Sequence, residues 1–172
     1  MRRLAEEYPG TAEELCELTH DGPFQLLVRS PEVCRHLSRL GEYLRWGSSL
    51  SPALSELAIC LTARHIRANY EWHAHAPLAE EAGVPKAAIE AIRTGGTPSF
   101  AAADEALVHG ICSELFRTQR LTDASFDKAV ATLGEEGLIE IIAIVGYYTL
   151  IGNTLNVFQV PVPEGVAPPF PE

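Results

Sequence analysis

The chain has 172 residues, of which 47% are apolar and 21% are charged, and its formal net charge is −10. These values are typical of one globular domain with a continuous hydrophobic core, and we interpret residues 1–172 as that single domain. No block of Lys or Arg accompanies the acidic balance, which argues against nucleic acid and against a membrane surface as partners.

The start of the chain and its cysteines indicate a cytoplasmic protein. Glu6 and Glu7 follow Arg2 and Arg3 without the apolar stretch of a signal peptide, so the mature chain is expected to begin here. The four cysteines are far apart and form neither a CxxC motif nor the spacing of a zinc site. We therefore expect reduced thiols and a cytoplasmic location.

Four helices are predicted in the first half of the chain. The first opens with a capping box at 11–14, where a threonine precedes a glutamate by three positions. The next two begin with Ser-Pro pairs at 30–31 and 51–52, which combine a serine N-cap with a proline in the first turn. The fourth is capped by Asn69 and runs to Gly83, a residue suited to a left-handed C-cap.

The second half also has helical signals. The segment "PKAAIEAIRTGG" predicts a short helix closed by glycines, and "AADEALVHGICSELFRTQR" a longer amphipathic one. The segment "TDASFDKAVATLG" predicts a helix that ends at Gly134, and a last helix extends from Glu135 to about Val160. The apolar run 137–152 within it contains Glu140 and is short for a membrane span, so it is interpreted as a buried helix.

No stretch alternates apolar and polar residues in the manner of a strand, and no Asn-Gly or Asp-Gly hairpin turn is present. The fold is therefore predicted to be all-α, with about seven or eight helices. The final residues, "PVPEGVAPPFPE", are proline-rich, and we expect them to form an extended tail along the surface or along a neighbouring subunit.

The stretch "NYEWHAH" at 69–75 holds the candidate chemistry. On a helix, Glu71 and His75 are four residues apart and share a face, so the carboxylate can orient the imidazole. Glu56 lies on the preceding predicted helix, in a stripe with Cys60 and Arg67. If the two helices pack together, two carboxylates and one imidazole meet in an apolar setting, an arrangement suited to general acid–base catalysis.

Two other interpretations of this cluster stay open from the residues alone. A Glu–His pair at this spacing is also common on exposed helices, where it contributes little to stability. Glu56, Glu71 and His75, joined by His65 or His73, would supply nitrogen and oxygen ligands for a metal ion, but the HExxH spacing is absent. Nucleophilic catalysis has no support, since no GxSxG motif is present.

The stretch "SELAICLTARHIRANYEWHAHAPLAEEAGVPKAAIEAIRTG" resembles the core of the carboxymuconolactone decarboxylase family, which includes the alkylhydroperoxidase-like proteins. The downstream "VGYYTLIGNTLNVFQVPVPEG" is similar to the end of that domain, so the resemblance spans about residues 20–165. It implies an alkylhydroperoxidase-like helical bundle. In the peroxidase branch a glutamate is followed by CxxC and a histidine, and those positions match Glu56, Ala68, Glu71 and His75.

The two cysteine positions of the peroxidase branch are occupied by Ala68 and Glu71, which removes the thiol–disulfide chemistry. The resemblance then implies a cofactor-independent lyase or isomerase that acts on a small unsaturated or lactone carboxylic acid. In that scheme His75 is the general acid, Glu71 orients it, and Glu56 tunes the pair or shuttles the proton. No cofactor and no metal are assigned.

The same resemblance implies a set of substrate-binding residues around the acid–base cluster. An arginine would anchor the substrate carboxylate and aromatic side chains would form an apolar wall. The residues assigned to substrate binding are Arg64, Arg67, Tyr70, Trp72 and His73.

Two alternatives from other functional classes stay open: a redox protein that uses noncanonical cysteines, and a non-catalytic oligomeric protein that binds small molecules. The family resemblance also implies a homo-oligomer, a trimer or a hexamer. Asn153 and Asn156, in the last predicted helix, either bind a ligand or bridge elements of the fold, and we favour the bridge.

Overall fold

A computed structural model describes residues 23–170. Within that range the chain is all-α, without strands, as the sequence predicts. The predicted capping box at 11–14 lies outside the described residues. The helices are α1 (Phe24–Leu27), α2 (Pro31–Glu42), α3 (Pro52–His65), α4 (Asn69–Glu81), α5 (Lys86–Thr94), α6 (Ala103–Thr118) and α7 (Asp123–Val157), and a π-helical turn, Tyr43–Gly47, follows α2 directly.

Several helix boundaries lie where capping residues and glycines in the sequence predict them. The Leu54 amide donates to Ser51 Oγ at the start of α3, so that predicted cap is confirmed. Gly95 adopts a left-handed conformation (φ +78°) at the end of α5. Gly134 (φ +73°, ψ +169°) divides α7 into two successive helices at the predicted position.

Other boundaries differ from the prediction. Ser30 makes no side-chain capping bond, although α2 begins at the predicted Pro31. Ala68, and not Asn69, is the N-cap of α4. Asn69 is already helical, and its amide is engaged by the C-terminal tail: Oδ1 accepts from the Phe170 amide at 2.8 Å. α3 ends at His65, so Arg67 (φ +54°) belongs to the connection and not to the helical stripe of Glu56.

The core is built around α3, which packs against α4, α6 and α7 and is buried over nearly its whole length. The second half of α7 presents a buried apolar face to it, which includes Ile141, Ile144 and Ile151. α7 is long and apolar enough to cross a membrane by length and composition alone, but half of that apolar window is buried inside the protein. A core helix has the same properties, in agreement with the predicted buried helix.

A buried carboxylate joins the π-helical turn to α7. Glu140 accepts hydrogen bonds from Tyr43 Oη at 2.6 Å, from Ser49 Oγ at 2.6 Å and from the Ser49 amide at 3.0 Å. Tyr43 begins the turn and Ser49 follows it by two residues, so these bonds hold the turn against the middle of α7. They thereby fix the position of Arg45, the residue at the centre of the turn.

The tail docks on the chain's own helices. After α7 the backbone has no regular structure up to Phe170, whose ring is buried. The Trp72 ring meets it edge-on at 5.2 Å, and the Arg64 guanidinium lies 5.4 Å from its centroid. Arg93 also donates to the Pro169 carbonyl at 3.2 Å. The tail therefore closes over the beginning of α4 and the end of α5.

Candidate active site

Three side chains that the sequence singled out converge in the structure. His75 Nδ1 lies 2.7 Å from Glu56 Oε2, and His75 Nε2 lies 3.5 Å from Glu71 Oε2. The imidazole thus bridges two carboxyl groups, one from α3 and one from its own helix. The predicted proximity of these groups is confirmed, and the shorter distance belongs to the pair that is remote in sequence.

The cluster lies in an environment that disfavours isolated charge. Glu71 is only 3% exposed and His75 6%. Burial raises the pKa of Glu71, and the neighbouring His75 and Arg45 only partly oppose that effect. Glu71 therefore holds its proton more readily than a solvent-exposed glutamate does.

Two tyrosines of α7 line the cluster. The Tyr148 ring stands edge-on to the His75 ring with centroids 5.0 Å apart, and Tyr147 packs edge-on against Tyr148 at 5.1 Å. Burial, together with the Glu71 carboxyl group, raises the pKa of Tyr147 to about 12. Burial also raises the pKa of Tyr148 well above its ordinary value. Both phenols are therefore neutral hydrogen-bond donors at physiological pH.

Arg45 is the functional candidate that the sequence analysis missed. Its Nη2 lies 4.0 Å from Glu56 Oε1, and its guanidinium stacks over the ring of Trp46 at 4.7 Å. The π-helical turn carries it there, and no periodicity or motif in "YLRWG" announces such a turn. The only sequence signal was a charged residue between apolar neighbours near the end of a predicted helix.

The predicted substrate-binding residues occupy several different surroundings. Arg64 donates from Nε to the Ile92 carbonyl at 3.2 Å and contacts the tail, as does Trp72. Arg67 is exposed in the connection between α3 and α4, and Tyr70 and His73 are half-buried on α4. Their role in substrate binding stays a prediction.

The cysteines of the described range are buried and free. Burial raises the pKa of the Cys112 thiol to about 12, and it raises the pKa of the Cys60 thiol further. The thiolate is the reactive form of cysteine, so these surroundings oppose redox chemistry at both positions. Within residues 23–170, no group of three or more His, Cys, Asp or Glu side chains is placed to hold a metal ion.

Asn156 has a structural partner. Its Nδ2 donates to the Ile66 carbonyl at 3.0 Å, which ties the end of α7 to the connection between α3 and α4. This is the bridging role that the sequence analysis favoured. Asn153, on the same helix, is exposed.

Part of the chain matches the sequence model of a known protein family. The sequence model of the carboxymuconolactone decarboxylase family matches residues 31–109. That segment of the chain is similar to this family. The carboxymuconolactone decarboxylase match runs from the start of α2 into α6 and includes Arg45, Glu56, Glu71 and His75. Over residues 31–109 it confirms the resemblance, and the helices of residues 23–170 confirm the all-α fold class predicted from the sequence. No curated protein matches the chain.

Proposed function

We propose that this protein is a cofactor-independent acid–base enzyme, a lyase or isomerase, that acts on a small unsaturated or lactone carboxylic acid. The observation that carries the proposal is the buried imidazole of His75 between the carboxyl groups of Glu56 and Glu71. The similarity of residues 31–109 to the carboxymuconolactone decarboxylase family supports the same reaction class. Fold alone does not determine activity, so the residue geometry bears the proposal.

The distances suggest a different division of roles from the one expected from the sequence. Glu56 is the nearer carboxylate, and it accepts a hydrogen bond from the Nδ1–H of His75, which fixes the ring and its tautomer. Nε2 then faces Glu71, whose raised pKa favours retention of a proton. Nε2 and Glu71 together hold the mobile proton, while Glu56 orients the imidazole.

Decarboxylation needs little more than this arrangement. The bond between the carboxylate carbon and the substrate breaks, its electron pair moves into the conjugated carbonyl of the substrate, and CO₂ leaves. His75 then delivers a proton to carbon and regains one from solvent, so that one carboxylate and one proton become CO₂ and a C–H bond. An isomerase would use the same groups to remove a proton from one carbon and return it to another.

The first test is release of CO₂ from a panel of carboxylated muconolactones and related unsaturated acids. We expect turnover by the wild-type protein and a loss of about 100-fold or more in His75→Ala and in Glu71→Gln, since positioned acid–base groups contribute about that much. His36→Ala, an exposed histidine of α2, is the matched control and should keep full activity.

Equal turnover by the wild type and both variants would remove Glu71 and His75 from the mechanism. Turnover of no compound in the panel would leave decarboxylation without support. The same proteins would then be tested for proton exchange at carbon, with solvent deuterium incorporation as the measurement, because an isomerase exchanges protons without releasing CO₂.

A further inference from the structure

Arg45 faces the acid–base cluster with hydrogen-bonding capacity to spare. Its closest approach to Glu56 is 4.0 Å, which is beyond hydrogen-bond distance. Its Nε is buried and has no hydrogen-bond partner among residues 23–170. A buried donor without a partner is costly in free energy, so such a group calls for an explanation.

The surroundings of Arg45 suit a planar anion. The side chain is 26% exposed, so a small molecule can reach it from solvent. Trp46 covers one face of the guanidinium, while the N–H groups of a guanidinium point outward along its edges. A carboxylate binds to such an edge through two parallel hydrogen bonds.

The π-helical turn holds Arg45 in place before any ligand binds. Leu44 beside it is fully buried, and the Glu140 bonds to Tyr43 and Ser49 fix both ends of the turn. The backbone that carries Arg45 is therefore ordered before binding, and the stacking on Trp46 restrains the guanidinium, which favours affinity and specificity.

We propose that Arg45 binds a carboxylate that the substrate keeps through the reaction, distinct from the one that leaves as CO₂, and so places the rest of the molecule against His75. This inference rests on the proposed function and names its anion-binding residue. It transfers the role of anchor from Arg64, which is engaged by the Ile92 carbonyl and the Phe170 ring. Lysine would not replace arginine fully, because an ammonium lacks the planar pair of donors.

Binding can be tested without turnover. The probes are a saturated γ-lactone that carries one acetic acid side chain and the methyl ester of the same compound, titrated by calorimetry into the full-length protein. We expect the acid to bind the wild type at least about tenfold more tightly than the ester, because the hydrogen bonds between a guanidinium and a carboxylate contribute at least that factor to the affinity. In Arg45→Gln the acid should bind no better than the ester, and in Arg45→Lys the preference should shrink.

Arg39→Gln removes an exposed arginine of the preceding helix and is the matched control, which should keep the preference of the wild type. A preference for the acid that survives in Arg45→Gln would overturn the inference. Equal affinity of the wild type for acid and ester, or binding of neither, would overturn it as well. If Arg45→Gln does not fold, as judged by circular dichroism, the comparison is made with Arg45→Lys alone.

This experiment separates the inference from the proposed function. Loss of the acid preference in Arg45→Gln supports the anchor even if no compound of the panel releases CO₂. Conversely, CO₂ release that depends on His75, without any dependence of carboxylate binding on Arg45, keeps the reaction and discards the anchor.

Discussion

Glu71 is a carboxyl group in a place that opposes its charge, and at the residue scale this is the most informative feature of the site. Desolvation disfavours the carboxylate more strongly than His75 and Arg45 favour it, so the pKa rises from its ordinary value of 4.5. A protein that used this position only for stability would be served as well by glutamine. Burying the Glu71 carboxyl group costs free energy, and such a cost is typical of a catalytic group that must gain and lose a proton.

Because the pKa of Glu71 is raised in the folded protein, the contribution of Glu71 to stability falls as the pH rises. The folded state binds the Glu71 proton more tightly than the unfolded state does, so its favourable contribution is complete below pH 4.5 and declines as the pH rises through the folded-state pKa. Glutamine does not titrate. We therefore expect the stability of Glu71→Gln relative to wild type to increase as the pH rises above 4.5, with a slope of at most about 1.4 kcal/mol per pH unit.

Urea unfolding of both proteins between acidic and neutral pH measures this difference. Glu81→Gln changes an exposed glutamate of the same helix and is the matched control. A stability difference between Glu71→Gln and wild type that stays constant over the range would show that burial does not shift the titration of Glu71.

At the scale of the element, the π-helical turn carries Arg45 to the acid–base cluster, and Glu140 fastens that turn to α7. Removing the charge of this buried carboxylate in Glu140→Gln leaves the Tyr43 and Ser49 donors with a poorer acceptor. We expect a loss of about 2–4 kcal/mol in the free energy of unfolding, because hydrogen bonds to a buried charged group are affected. The affinity for the lactone acid should fall too, since Arg45 is carried by the same turn.

Chemical denaturation and the calorimetric titration measure the two effects. Glu135→Gln, an exposed glutamate at the start of the second half of α7, is the control for the loss of one negative charge. If Glu140→Gln unfolded at the same urea concentration as wild type, Glu140 would not fasten the turn.

The π-helical turn also shows that features set by neighbouring residues can be predicted from the sequence, whereas features set by distant residues cannot. The capping serine of α3, the break at Gly134 and the Glu71–His75 pair depend on neighbours within a few positions, and these were predicted. Arg45 was missed because its place is set by hydrogen bonds that Glu140 accepts from Tyr43 and Ser49, which are more than 90 positions away from it. Asn69 was misassigned as a cap for a similar reason: the distant tail supplies its partners.

On the scale of the whole molecule, one face of α7 is apolar and yet lies on the surface. Ile139 and Val157 are 65% and 77% exposed, and Ile142 and Leu150 lie between them at helical spacing. Gly146 and the exposed Asn153 lie on the same stripe, which is mostly apolar and contains no charged residue. A solvated helix face is normally polar, so an uncharged apolar stripe of this length indicates a contact surface.

We propose that a second copy of the chain covers this stripe, in line with the homo-oligomer that the family resemblance implies. An uncharged stripe can meet its own copy without repulsion, and a glycine at its centre lets two helices approach closely. Sedimentation velocity of the wild type should then show a dimer or a larger assembly. Ile142→Glu should shift it toward the monomer, because association would bury an unpaired charge.

Ala131→Glu adds the same charge to an exposed position in the first half of α7, outside the stripe, and should leave the assembly intact. A wild-type monomer at all accessible concentrations would contradict the proposal. Cosedimentation of a monomeric wild type with neutral lipid vesicles, abolished by Ile142→Glu, would instead assign the stripe to a membrane surface. Self-association that Ile142→Glu leaves unchanged would place the subunit contact on another face of the molecule.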